Sequence, residues 1–459
     1  MEAQWGEPTA AVLCDALQAS EPSVSVRLNP WKGWQIHPSL STLSPASSPL
    51  SRHAAPTPVP WCPGAYYLPE RPAFTFDPQL HAGAYYVQEA SSMFLAQAVG
   101  RYMSSASTVL DLCAAPGGKS TLLRALLPEG SLLVSNEPIA RRAQILAENM
   151  TKWGHPSTIV TQNFPADFAP LRHLFDVIVA DVPCSGEGMF RKDAEAVGEW
   201  SMQNVLMCQE RQRSILADVW PALKPGGLLV YSTCTFNHFE DEDNVRWICR
   251  ELGAQVLDVP CDASWGITGR YHFLPGTARG EGFFLSVLRK SADVPLQPAS
   301  AAKERRPKPG REPAFPAALR SWVQGDFDFF VEADAAIAFP SAHAPLRPLL
   351  RRRLHVLAEG VRLAELRGRD WQPAHPLAMS QALVRGTFPE DELTYDEALT
   401  YLRREAVSVA APRGYVLVTF RGLPLGFVKN LGPRANNLYP TEWRIRSGFT
   451  TPFALAASV

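Results

Sequence analysis

"VLDLCAAPGGKSTLL" (109–123) sets a short apolar run against a turn of small residues and then a helical pattern. That order of strand, tight turn and helix decides the fold class. Ala114, Ala115, Pro116, Gly117 and Gly118 let backbone N–H groups approach a ligand, and the helix start that follows favours an anionic group. Apolar runs recur downstream at "SLLVSNE" (131–137), "STIVTQ" (157–162), "FDVIVADVP" (175–183) and "GGLLVYSTC" (226–234). Helical patterns separate them, as in "IARRAQILAENMTKWG" (139–154) and "NVLMCQERQRSILADVWPAL" (204–223). This alternation predicts an α/β domain, with a parallel sheet covered by helices on both faces and right-handed crossovers. "GEGFFLSVLRK" (280–290) reads as the last strand of that sheet.

The turn is not a phosphate loop. A P-loop needs a glycine where Cys113 stands, and the dinucleotide pattern Gly-x-Gly-x-x-Gly is absent. A nucleoside-binding turn remains. Glu137 ends the next strand about 20 residues on, where an acid in a doubly wound sheet can hydrogen-bond a ribose diol. An adenosine-type ligand at the carboxyl ends of the strands is therefore expected, bound by Cys113 to Lys119 and Glu137.

Composition bounds the rest. The 459 residues suit about three domains, and 46% hydrophobic against 19% charged residues mark a globular chain. No apolar run reaches the roughly 20 residues that span a bilayer, and the N-terminus lacks a basic stretch before an apolar one. A cytoplasmic protein is expected. Eight scattered cysteines without a Cys-x-x-Cys pair give no disulfide framework and no metal site. Net charge is −1, but residues 401–446 hold eight basic and two acidic residues, a formal +6. Tyr415, Phe420, Phe427, Tyr439 and Trp443 interleave with those cations, which suggests phosphate contacts and base stacking. "RRRLHVLAEGVRLAELRGR" (351–369) offers further arginines for an RNA backbone.

Two cysteines stand at strand ends. Cys184 follows "FDVIVADVP" and Cys234 closes "GGLLVYSTC", 50 positions apart. In a parallel sheet both ends open on the ligand edge, so both thiols would face one pocket. Their chemistry fits cytosine methylation. The 5-carbon of cytosine is a poor nucleophile until a thiolate adds to the 6-carbon, after which the ring can attack a methyl donor. Asp181 is the group placed to hydrogen-bond pyrimidine N3. "FEDED" (239–243), beyond Cys234, reads as a solvated helix start.

"DLCAAPGGKS", "DVPCSGEGMFRKD" and "YSTCTFNHFEDEDNV" resemble the S-adenosylmethionine turn, the Pro-Cys motif and the Thr-Cys motif of the Sun-type RNA cytosine-5 methyltransferases. "HAGAYYVQEASSM" (81–93) resembles that family's lead-in. In whole-chain layout the sequence resembles the bacterial RsmF-like 16S ribosomal RNA methyltransferases, with "PLGFVKNLGPRANNLYPTEWRI" (424–445) similar to their PUA-like module.

The resemblance implies a Rossmann-like S-adenosylmethionine methyltransferase core, with a small N-terminal domain and a C-terminal PUA-like domain. The corresponding segments are 1–105, 106–290, a Pro- and Ala-rich linker at 291–312, an intermediate domain at 313–390, and 391–459. It implies S-adenosylmethionine bound by Cys113, Ala114, Ala115, Pro116, Gly117, Gly118, Lys119, Glu137 and Asp181. Cys234 resembles the nucleophile, and Cys184 the residue that assists product release; spacing alone does not distinguish them. The implied partner is ribosomal RNA, in the small subunit, with a monomeric enzyme, no membrane and no metal. The same chemistry on transfer RNA or 23S RNA, or a non-catalytic RNA-binding assembly factor, are the alternatives. Two positions depart from the family. Asn163 and Phe164 stand where an acid near the adenine is common, so Asn163 is the expected adenine contact. Gly276 stands where a histidine is usual.

Overall fold

In the computed structural model, residues 2–19, 21–33, 55–293 and 314–447 are described. The linker expected at 291–312 lies outside them except for its first three residues, as do the last twelve residues of the chain.

The apolar runs form the centre of a nine-stranded sheet. In chain order its principal strands are β1 (Thr108–Asp111), β2 (Leu132–Asn136), β3 (Thr158–Thr161), β4 (Phe175–Asp181), β5 (Leu223–Thr233), β6 (Ala254–Leu257), β7 (Phe283–Lys290) and β8 (Val356–Glu359). Their spatial order is β6-β7-β5-β4-β1-β2-β3-β8, with His272–Phe273 paired to β7. The five strands from β3 across to β5 run parallel. The sheet is mixed, not wholly parallel, because β7 is antiparallel to β5, β6 to β7 and β8 to β3. Nor is residue 290 the end of it. The outermost strand on the β3 side comes from 356–359, beyond the linker.

Alternation along the strands builds two cores, since successive side chains point to opposite faces. Val109, Leu133, Val177, Val179 and Val230 join one buried cluster with Leu95, Val99 and Trp61 of the N-terminal region and with Leu146 and Met150. The intervening Leu110, Leu132, Val134, Ile178 and Leu229 join a second cluster with Leu216, Val219 and Ile248. The helices on these faces are α1 (Gly118–Leu126), α2 (Ala140–Trp153), α3 (Met202–Val219) and α4 (Glu242–Leu252). Phe339, Leu350 and Leu354, from beyond the linker, complete the second cluster. Leu350 is wholly buried. Leu350→Ala is expected to destabilise the chain by about 2–5 kcal/mol, by lost burial and a residual cavity. Chemical denaturation followed by tryptophan fluorescence checks this.

The remaining sheets have four strands each. The N-terminal one uses Val24–Leu28, Thr57–Pro58, Ala65–Leu68 and Tyr85–Val87. Buried Arg27 ties it to α1, donating to Thr121 Oγ1 at 2.6 Å and to Gln88 Oε1 at 3.1 Å. A second, antiparallel sheet uses Phe327–Glu332, Ala335–Pro340, Val361–Arg367 and Asp370–Pro373. The third uses Glu390–Glu392, Gly414–Phe420, Leu423–Asn430 and Ala435–Asn437, and it shares a core with the N-terminal sheet through Val26, Tyr85, Tyr401 and Val418.

That packing corrects the reading of the C-terminal aromatics. Phe420, Phe427 and Tyr439 are buried, so they hold the module together and cannot stack on RNA bases. Apolar residues at every second position of a strand bury together, which composition alone does not reveal. Arg404, Arg413, Arg434, Arg444 and Arg446 remain exposed. Several arginines of 351–369 are also engaged: Arg351 pairs with Glu332 and Glu359, and Arg362 and Arg367 pair with Glu365.

Candidate active site

Strand order reverses at β1, whose neighbours are β2 and β4. Ligands bind doubly wound sheets at that point, outside the carboxyl ends of the strands. Asp111, Glu137, Asp181 and Cys234 all stand at or just past such ends, on β1, β2, β4 and β5.

The turn from Cys113 to Lys119 follows β1, and α1 begins at Gly118 with Gly117 as its cap. The turn is braced from outside: Ala114 N–H donates to Asn136 O at 2.8 Å, Arg142 donates to Ala115 O at 3.0 Å, and Asn149 donates to Pro116 O at 2.8 Å. Burial pushes the Cys113 thiol well above its usual range, with the charge of Asp111 adding to it. Its backbone rather than its sulfur is therefore the useful part of Cys113.

Two carboxylates, Asp181 and Asp111, face one ammonium, and a third, Glu137, acts on Asp111. Lys119 Nζ lies 2.8 Å from Asp181 Oδ2, and Ser232 Oγ donates to Asp181 Oδ1 at 2.7 Å. Burial alone would lower the Lys119 pKa, but the charge and hydrogen bond of Asp181, with Asp111 and Cys234, raise it, so the ammonium persists. Asp111 is wholly buried; it takes a 2.6 Å bond from Ser120 on Oδ2, while Oδ1 has no hydrogen-bond partner. Glu137 is also buried. Its Oε1 accepts from Ile139 N at 3.0 Å, whereas Oε2 accepts no hydrogen bond and has Arg142 at 3.5 Å.

Buried carboxylate oxygens without donors are costly unless a ligand supplies the donors. A ribose diol fits Glu137, and a ligand carrying positive charge fits the excess of carboxylates. S-adenosylmethionine has both, so the residues present fit that cofactor.

Asp111 gives this fit a pH signature. Burial drives its carboxyl up to about 7, opposed by the Ser120 hydrogen bond and the Lys119 charge and reinforced by Asp181 and Glu137. A cationic ligand selects the ionised form. Affinity for S-adenosylmethionine is therefore expected to rise with pH, by up to roughly tenfold per unit below about 7 and levelling off above it. Calorimetric titration across that range checks the slope, and Asp111→Asn should flatten it.

Asn163, the expected adenine contact, has both polar ends of its side chain occupied. Its Nδ2 donates to Asp167 Oδ2 at 3.0 Å, and its Oδ1 accepts from His355 N at 2.9 Å. Phe164 beside it is 69% exposed, and its N–H also donates to Asp167, at 3.0 Å. Sequence reading passed over Asp167, an acid four positions after Asn163 whose carboxylate stands at the same loop.

The two cysteines meet. Cys184 Sγ and Cys234 Sγ are 2.9 Å apart as free thiols. The hydrogen bond between them, then burial, push the Cys184 thiol well above its ordinary range. Cys234 is also among the groups that favour the charged Lys119 ammonium.

The first two acids after Cys234 are not solvated, whereas Glu242 and Asp243, in the first turn of the helix that follows, are partly exposed. Glu240 and Asp241 are fully buried, and α4 begins only at Glu242. Glu240 accepts from Ser185 N, Asn237 Nδ2 and Gln212 Nε2 at 3.0, 2.8 and 2.7 Å, and Asp241 accepts from Thr233 Oγ1 at 2.6 Å. No local pattern reveals this, because Ser185 and Gln212 arrive from distant parts of the chain. Gly276 also has a reason. A Cβ there would come within 2.9 Å of Ala16 and Val12, so its bareness lets the N-terminal helix Glu7–Ala19 pack against that loop.

Comparison with known proteins gives the family. Family models described as "16S rRNA methyltransferase RsmB/F", "Methyltransferase RsmF PUA domain" and "N-terminal domain of 16S rRNA methyltransferase RsmF" match residues 103–289, 388–445 and 1–90. The Ribosomal RNA small subunit methyltransferase F of Klebsiella pneumoniae is 34% identical over 409 residues, covering 84% of each chain. The chain belongs to the RsmF family of 16S ribosomal RNA methyltransferases. The Cronobacter sakazakii member is likewise 34% identical, over 86% of each chain. Among solved structures, a methyltransferase homologue from Pyrococcus horikoshii superposes with a TM-score of 0.50 at 24% identity, covering 62% of this chain and 92% of that one, which shows the fold. As an RsmF-family protein the chain is an RNA methyltransferase with a PUA domain, and the family implies use of S-adenosylmethionine. Among the described residues no helix is long and apolar enough to cross a membrane.

Proposed function

We propose that this RsmF-family enzyme methylates the 5-carbon of a cytosine in 16S ribosomal RNA through a covalent bond between Cys234 and the pyrimidine 6-carbon. The observation that carries the reading is the pair of thiols 2.9 Å apart at the ends of β4 and β5, beside the Lys119–Asp181 ion pair.

When bound, S-adenosylmethionine supplies an electrophilic methyl group. Glu137 would hold its ribose, and the 113–119 turn and Asp181 the rest. The Cys234 thiolate adds to the 6-carbon, breaking the 5,6 double bond and leaving the 5-carbon nucleophilic; the addition is eased when N3 takes a proton, and the resulting N3–H donates to the Asp181 carboxylate. Lys119 provides the positive potential that a thiolate nucleophile needs. After methylation the 5-proton leaves to a base, its electron pair restores the double bond, and the carbon–sulfur bond breaks. The Cys184 thiol, adjacent to the departing sulfur, can donate a hydrogen bond to it.

The target base must leave its stack, at a cost of a few kcal/mol that is least in a loop. Arg404, Arg413, Arg434, Arg444 and Arg446 supply phosphate contacts to RNA of the small subunit. Bisulfite sequencing of total RNA with and without the gene tests the substrate. A 5-methylcytosine lost from 16S RNA is expected. Loss from transfer RNA or 23S RNA instead would overturn the assignment, and unchanged methylation in all RNA would overturn the activity.

A further inference from the structure

The two cysteine turns are locked together by two carboxylates exchanged between them. Glu187, from the Cys184 turn, accepts from Thr235 Oγ1 and from Phe236 N at 3.0 Å, both in the Cys234 turn, and from Trp200 Nε1 at 2.9 Å. Glu240, from the Cys234 side, accepts from Ser185 N at 3.0 Å, next to Cys184. The backbones also touch. Gly188 N–H donates to Cys234 O at 2.9 Å, and a Cβ on Gly188 would lie 2.9 Å from that oxygen and 2.2 Å from Gly282 O.

We propose that Glu240 is a positioning residue that holds Cys184 against Cys234 for product release. The inference rests on the reading of Cys234 as nucleophile.

Three features carry it. The partners of the Glu240 carboxylate, Ser185, Asn237 and Gln212, all donate to it, the arrangement that an ionised carboxylate takes, and these bonds oppose the burial that raises its pKa. Gln212 also donates to Pro183 O at 2.9 Å, so one α3 side chain grips both the carboxylate and the residue before Cys184. The Cys234 turn also has supports that do not pass through the Glu240 carboxylate: β5 leads into it, and Gly188 and Glu187 bond Cys234 O, Thr235 and Phe236, while Asn237 beyond them donates to Glu240. Loss of the Glu240 charge should therefore release Cys184 and leave Cys234 in place. The charge has a second effect: Glu240 is among the groups that favour the neutral Cys184 thiol, after the Cys234 hydrogen bond and burial. A neutral thiol is the form that can donate to a departing thiolate.

The test uses the full-length enzyme with E240Q, in which the amide NH2 would oppose at least one of the N–H donors. S-adenosylhomocysteine affinity, KM for 16S RNA, the single-turnover methylation burst, kcat and denaturant-stable protein–RNA adduct are measured. Affinity, KM and burst should stay within about threefold. Steady-state kcat should fall about 100-fold, as for a catalytic group misplaced by about an ångström, with adduct accumulating. In a C184A background E240Q should cost less than about threefold further, because both changes remove the same assistance. Unchanged kcat would overturn the proposal, and so would an equal loss in the C184A background or a burst lost together with turnover. Should E240Q not fold, E240D keeps the charge but shortens its reach, and the same outcomes decide. Activity retained in C234A removes the covalent reading itself; a dead C234A beside a wild-type-like E240Q removes only the role of Glu240.

Discussion

Cys234→Ala is expected to reduce methyl transfer to 16S RNA by at least about 10⁴-fold, the scale on which removal of a covalent nucleophile acts. Without the thiolate the cytosine 5-carbon has no enamine character, and neither Asp181 at N3 nor the methyl donor can replace it. Binding should survive. The Cys234 side chain contacts Cys184, whereas the cofactor fit rests on Asp111, Glu137 and Asp181, two of them with oxygens open to a ligand. Radiolabelled methyl incorporation, with S-adenosylhomocysteine affinity measured in parallel, separates the two effects. Undiminished incorporation would sink the covalent reading.

Cys184→Ala acts at the other end of the cycle. Addition and methylation need Cys234, Lys119 and Asp181, all of which remain. Departure of the Cys234 sulfur loses its neighbouring donor. Turnover is expected to fall by about 100-fold or more, the scale of an acid–base group, with each enzyme held on one RNA as an adduct that survives denaturation. A denaturing gel with labelled RNA reads this directly, and absence of the band would reverse or dissolve the division of labour between the cysteines. The two variants therefore fail in opposite ways, one without adduct and the other stalled on it.

The core strands were legible because each is an apolar run, buried along most of its length and bounded by turn residues; β4 and the buried end of β5 are plain in "FDVIVADVP" and "GGLLVYSTC". β6 and β8 were not. "AQVL" and "VLAE" are four residues long and partly exposed, and pairing with β7 and β3 rather than local pattern makes them strands. The site divides in the same way. Residue types and strand ends placed Cys184, Cys234, Asp181 and Glu137 on one edge of the sheet. Their partners come through space: Ser232 at Asp181, Ser120 at Asp111, and Gln212 and Ser185 at Glu240. The C-terminal aromatics erred in the other direction, because stacking faces and core faces have the same composition.

The strand that β8 adds beside β3 bears on how the molecule matures. His355, at the start of that segment, bonds Asn163 across 192 positions of chain. During synthesis the catalytic motifs therefore emerge well before the strand that covers the β3 edge. Until then that edge is open to any other strand, and such non-local pairing is slow to form. The Asn163 loop takes this anchor from a residue made 192 positions later, so that edge of the sheet is finished only after both cysteine motifs have emerged.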